Sequence, residues 1–276
     1  IEVDKAIDYN DDPANIIKQN NWEKYQKWFL NHLKGQQNYM QDWVGSDAAY
    51  NMWLNSTGSE KEAKFIQNRQ LENLDNFDIT LQPTRKYSGY YGDPIENKHN
   101  YSAISDPYTF SPGASMSFAP GGFYQPNPDK PNYQPWGRST GIHEFSHQAD
   151  TGQQPWERGG YSRYTNWGGF GPNRIIPPHW IDYIEENAED PGPDAFWNPD
   201  FGFKYFSKPT EVRARINETR YMMNEEGVYD PFKEKLTKKQ LQDIMESGDS
   251  NDYDYLWDLL NIFNEDEVLH MINNMA

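Results

Sequence analysis

Two histidines bracketing a glutamate, His143-Glu144-Phe145-Ser146-His147, constrain this chain more than any other feature of it. Residues four apart share a face only on an α-helix. The two imidazoles can therefore act together only if this segment is helical. The flanking residues agree: in STGIHEFSHQADTG, Ser139 or Thr140 can cap a helix that ends before Gly152. Two imidazoles one turn apart can grip a single zinc ion. Zinc with nitrogen and carboxylate ligands and one open position lowers the pKa of its water to about 7. Glu144 is not a ligand in such an arrangement; its carboxylate takes the proton of that water as general base. Histidine is scarce, 6 in 276 residues, so the spacing is not a by-product of composition.

The texture of the chain divides it into three blocks. Residues 1–85 are expected to form a mainly helical lobe. Trp22, Tyr25, Trp28, Phe29 and Leu33 follow helical spacing, with Gly35 as the stop. A second helix is expected from Ser59, with Glu62 three residues on as in a capping box. Residues 86–230 hold the motif. From Tyr87 to Trp136, Pro and Gly are frequent and the apolar runs are short (YSAIS, ASMSF, GGFYQ), which predicts short strands and long loops. After the motif come a loop-rich stretch, a short helix around His179 to Asn187, and a helix over 209–226 opened by Pro209 and closed by Gly227. Residues 231–276 are expected to be helices packed on the middle block, with Thr237 and Gln240 as another capping signature.

The third ligand must lie outside the motif. A Gly at position 150 and a His at 153 would complete one known pattern, but Asp150 and Gln153 stand there. Asp150 is predicted to be a neighbouring support or a helix-end charge, and His179, between prolines and Trp180, to be structural. Glu211 opens the 209–226 helix. It can be a ligand, with Arg215 one turn on orienting its carboxylate, or a solvated glutamate favoured by the helix dipole. Val212, Ile216, Thr219 and Met223 form a stripe able to pack that helix on the motif helix.

Composition removes several classes of function. There are no cysteines, so disulfides, thiolate zinc sites and cysteine nucleophiles are excluded. Net charge is -17 and no basic stripe is present, which disfavours nucleic acid and anionic membranes as partners. No apolar run is long enough for a transmembrane helix, and no signal peptide is visible. The first residue is Ile1, which suggests a processed product or a piece of something longer, and the compartment is left open. Aromatic residues reach 16%, which argues for a folded chain. Trp22, Trp28, Trp43 and Trp53 exceed what a two-helix seam needs, so the first lobe is expected to supply no metal ligand and to dock an assembly partner or select substrate.

IHEFSHQAD resembles the active-site helix of gluzincin metallopeptidases, in particular the anthrax lethal factor type, whose H-E-F-small-H is also followed closely by Asp. In that family the third ligand is a Glu on a later helix within acidic-x-x-A-x-x-R. PTEVRARINETRYM is similar, with Glu211, Ala214, and Arg215 two places earlier than the family's Arg. The resemblance implies an α+β fold: a zincin-like domain with a small mixed sheet and an active-site helix. It implies Zn2+ on His143, His147 and Glu211, and Glu144 as general base for peptide-bond hydrolysis. It also implies a Tyr shortly before the ligand Glu as oxyanion donor. Tyr205 stands one residue closer than in the family, and Tyr221 is the second choice. A strand within 114–125 is expected to bind a peptide or protein substrate by edge addition, unless Gly121-Gly122 is only a turn. The pairing of these two helices is also similar to metallopeptidase-like proteins of tailed phages, which implies an alternative: a virion structural or assembly protein whose zinc site has little or no activity.

Overall fold

The computed structural model describes residues 22–75, 77–81, 104–105, 114–118, 139–151, 177–192, 202–246 and 254–276. The N-terminal helices are α1 (Trp22–Gly45), α2 (Asp47–Thr57) and α3 (Glu60–Asp75). Helix α1 does not stop at Gly35. Buried Leu33, Gln36, Met40, Trp43 and Val44 carry the helical register past it, and a Cβ at Gly35 would meet nothing within 4 Å. An exposed mid-helix glycine costs only about 1 kcal/mol against alanine, less than that buried face contributes. Helix α2, absent from the sequence expectation, starts at Ser46, whose Oγ accepts from the Ala49 N–H at 3.1 Å, and ends at Gly58 with φ 65°. The cap expected for α3 is present: Ser59 Oγ accepts from the Glu62 N–H at 3.3 Å.

Three short strands follow: β1 (Phe77–Leu81), β2 (Ile104–Ser105) and β3 (Ala114–Phe118). Their order is β1-β3-β2, with β1 parallel and β2 antiparallel to β3. Then come α4 (Thr140–Thr151), α5 (Pro178–Asn187), α6 (Gly202–Phe206) and α7 (Pro209–Glu225). The chain closes with α8 (Lys238–Glu246), α9 (Asp254–Leu260) and α10 (Glu265–Asn274). Helix α10 opens on a full capping box, Asn264 with Glu267, and Thr237 with Gln240 makes the expected one before α8. No helix among the described residues is long and apolar enough to cross a membrane.

The expected α+β class is corrected. The buried core is drawn from helices and the turns between them, and the strands are only five, two and five residues long. The short apolar runs between Tyr87 and Trp136 suggested a sheet layer beside the motif. Of those runs, YSAIS contributes two paired residues and ASMSF five, while GGFYQ lies outside the described residues. Edge addition on β3 is corrected too, because β3 is the central strand. Gly121-Gly122, the loop from Gln153 and the side chains of Trp22 and Trp28 fall outside what is described.

Helix α4 packs against α1, α3 and α7. Asn73 Nδ2 donates to the Ala149 carbonyl at 2.8 Å, and Gln70 Nε2 to Asp150 Oδ1 at 3.3 Å. At Gly141 a Cβ would come 2.0 Å from Gln36 Oε1, so α1 approaches α4 at a position that glycine keeps open. Trp43 and Trp53, expected on a docking surface, are buried in this core. Trp43 faces the Arg220 guanidinium at 4.7 Å, and Trp53 faces that of Arg213 at 5.7 Å.

Helix α7 is the centre of the arrangement. Every residue from Pro209 to Met223 is buried, although eight of them, Thr210, Glu211, Arg213, Arg215, Asn217, Glu218, Thr219 and Arg220, are charged or polar. A helix buried all round is ordinarily apolar. Buried charges persist only when paired or when they hold an ion, so the partners of these residues define what the helix does.

Candidate metal centre

Helix α4 presents its two histidines by simple periodicity. Ile142, Phe145 and Ala149 are wholly buried and fix its rotation. The rings of His143 and His147 then lie 4.7 Å apart, edge to face. Their Nε2 atoms are 3.0 Å apart. Glu211, in the first turn of α7 after Pro209, completes the group. Its Oε2 is 3.3 Å from His143 Nε2 and its Oε1 is 3.5 Å from His147 Nε2. One donor atom from each residue lies within 4.8 Å of the others, so His143, His147 and Glu211 form a group that could hold a metal ion.

Two observations test whether a cation fits. Two ring nitrogens at 3.0 Å repel unless a proton or a cation lies between them. Around them stand the carboxylates of Glu211, Glu218 and Asp258 and the guanidinium of Arg215, with the charges of Glu144 and Arg213 also in electrostatic reach. The centre therefore carries surplus negative charge when both imidazoles are neutral. A two-nitrogen, one-oxygen donor set of this kind suits a divalent metal such as zinc.

Without a metal, a proton takes that place. Burial pulls the His143 pKa down, but the charge of Glu218 and hydrogen bonds to Glu211 and Glu218 outweigh it and hold His143 at about 10. His147 goes the other way, to about 4, because burial dominates and the neighbouring His143 and Arg215 charges add to it. Burial raises Glu211, but the two histidines and Arg215 outweigh it and keep its carboxyl well below the usual range. The two imidazoles are thus shifted in opposite directions, while burial raises the Glu218 carboxyl that faces His143.

Arg215 orients Glu211 as its spacing suggested. Its Nη1 donates to Oε2 and to the main-chain carbonyl of Glu211, both at 3.2 Å, and its Nε reaches Asp258 of α9 at 3.3 Å. Its guanidinium stacks on Phe206 at 4.4 Å. Tyr205 of α6 also comes to the centre. Its phenol interacts with Glu211 and Glu144, and burial, followed by those carboxylate charges, pushes its pKa up. The hydroxyl therefore stays protonated and able to donate. Glu144 is half-buried beside it.

The other candidates are not part of the group. Tyr221 lies ten residues after Glu211, about 15 Å along the helix, and packs edge to face on Tyr39. Asp150 bonds Arg213 and Gln70. His179 is exposed and sits 3.0 Å from Ser56 Oγ. Two residues at the centre escaped the sequence reading, Glu218 and Asp258. Glu218 follows Glu211 by seven, two turns along the same face, and that periodicity was the available signal. Asp258 had none, because α9 meets α7 only in the folded chain. No protein-family model, curated protein or solved structure matches this chain. The class defined by fold and site is a mainly helical protein with a buried His-His-Glu group able to hold a metal ion.

Proposed function

We propose that this chain is a zinc-dependent endopeptidase of the gluzincin type. The observation that carries this reading is the convergence of His143, His147 and Glu211 with Glu144 and Tyr205 beside them. Zinc bound to the three ligands supplies Lewis-acid polarisation of a peptide carbonyl and of water. Glu144 accepts the proton of the attacking water and returns it to the leaving amine. Tyr205, kept protonated, donates to the oxygen on which negative charge develops. Arg215 and Asp258 hold Glu211 in place.

A second reading is a structural or assembly protein, as in a phage virion, that keeps the zinc for stability. The low exposure of the centre favours it, since His143 and Glu211 are each only 8% exposed. One experiment separates the two: metal analysis of the purified chain with a peptide-library cleavage assay, on wild type and Glu144→Gln. The endopeptidase reading expects one zinc per chain in both proteins, and cleavage by wild type that falls by about 10²–10⁴-fold in the variant. Zinc without cleavage in either protein supports the structural reading. Absence of zinc from wild type, with none taken up on addition, sinks both.

A further inference from the structure

We propose that Glu218 is a positioning residue of this centre: it grips His143 by Nδ1 and so aims Nε2 at the point where His147 and Glu211 converge. The inference rests on the metal-site reading above and assigns a role to a carboxylate that reading leaves unused. Glu218 is completely buried, with an exposure of 0%. A buried carboxylate is costly unless each oxygen is satisfied, and here both are. Oε2 lies 2.9 Å from His143 Nδ1, and Oε1 accepts from Ser139 Oγ at 3.2 Å.

Both contacts fall on one turn of α4. Ser139 is the residue at which that helix starts, since its carbonyl accepts from the His143 N–H at 3.1 Å. Its hydroxyl is turned to Glu218. A single carboxylate on α7 therefore fixes the start of α4 and the ring of the first histidine together. An imidazole whose Nδ1 donates to a carboxylate must present Nε2 as its metal-binding atom, and the carboxylate makes that nitrogen more basic. Glu211 and Glu218 are seven residues apart on one helix, so the ligand and the residue that orients its neighbour move as one rigid unit. The α7 face thereby sets the position of Glu211 directly and that of His143 through Glu218.

The test uses the full chain with Glu218→Ala, Glu218→Gln and Ser139→Ala. Zinc affinity is read by competition with a chromophoric chelator. The Co2+-loaded visible spectrum and the 15N shifts of the His143 ring are recorded beside it, and circular dichroism checks the fold. Glu218→Ala is expected to weaken zinc by about 10–100-fold. Glu218→Gln keeps an oxygen acceptor of the same shape without the charge, and should fall between wild type and Glu218→Ala with a changed Co2+ spectrum. Ser139→Ala removes the other half of the Glu218 contacts and should lower thermal stability and weaken zinc by less than Glu218→Ala does, because the bond to His143 Nδ1 is kept. If Glu218→Ala does not fold, the Gln variant decides. Wild-type zinc affinity with unchanged His143 shifts in a folded Glu218 variant overturns the proposal and leaves the metal centre standing. A wild-type chain that takes up no zinc defeats the centre itself, and this role with it.

Discussion

The two polar faces of α7 are equally buried and differ in how they are satisfied. One carries Glu211, Arg215 and Glu218 toward α4 and α9. The other carries Arg213, Asn217 and Arg220 toward the last residues of the chain and toward Ser146 and Asp150 of α4. On the second face most partners are groups that cannot leave, although Arg213 Nη2 and Asp150 Oδ2 are buried without a hydrogen bond among the described residues. Arg220 donates to the carbonyls of Ile272 and Met275 and to Asn217 Oδ1. Arg213 donates to the Ala276 carbonyl and to Asp150. Tryptophan rings cover both guanidinium groups. The first face is left with two imidazole nitrogens in contact and more carboxylates than cations. Buried polarity is structural where fixed backbone groups close it, and points to an ion where the balance needs a removable charge.

The largest expected effect would break this comparison on its structural side. Arg220→Ala removes the donor of the Ile272 and Met275 carbonyls and the guanidinium over Trp43, and should cost about 2–5 kcal/mol of stability by denaturant unfolding of the metal-free chain. A loss below about 1 kcal/mol would mean that this face is no more structural than the other. Glu211→Ala is the counterpart. Its zinc affinity should fall more than about 100-fold, beyond the usual loss for a supporting residue. Its metal-free stability should fall as well, because buried Arg215 and the protonated His143 lose a carboxylate partner, so the loss of zinc affinity is what distinguishes it from the Arg220 variant. Equal zinc retention in wild type and Glu211→Ala would take Glu211 out of the centre.

The pH dependence sharpens the same contrast. In the metal-free chain His143 is raised from 6.5 to about 10, so its stabilising contribution is complete below pH 6.5 and is lost as pH rises through 10. His147 is lowered from 6.5 to about 4, so its contribution is present above pH 6.5 and lost as pH falls through 4. Zinc must displace the His143 proton, and its affinity should therefore rise about tenfold per pH unit through neutrality. Proton release on binding, measured in two buffers of different ionisation enthalpy, checks this; release of none rules out the protonated His143. The smallest effect belongs to Ser146, where the faces meet. Its hydroxyl donates to the Ile142 carbonyl and accepts from Asn217 Nδ2 at 3.0 Å. Ser146→Ala should cost about 1 kcal/mol of stability and change zinc affinity less than twofold.

What the sequence by itself determined is local. His143 and His147 share a face because four residues make about one helical turn, and their helix begins at Thr140, beside the Ser139-Thr140 pair expected to cap it. Pro209 and Gly227 mark the ends of α7 for the same kind of reason, and Glu211 with Arg215 needs only one turn of geometry. The strand-rich texture misled because short apolar runs do not specify whether their neighbours are strands or helices. Gly35 misled because a helix stop signal yields when the buried face continues beyond it. Everything that makes the centre more than a pair of histidines was decided by tertiary structure. Glu218 reaches His143 across 75 residues, Arg215 reaches Asp258 across 43, and Trp43 and Trp53 lie buried over two arginines of α7. Helical periodicity acts over a few residues and can be read from a string of letters. The partner of a buried charge is chosen by the packing of the whole chain, and no local pattern encodes it.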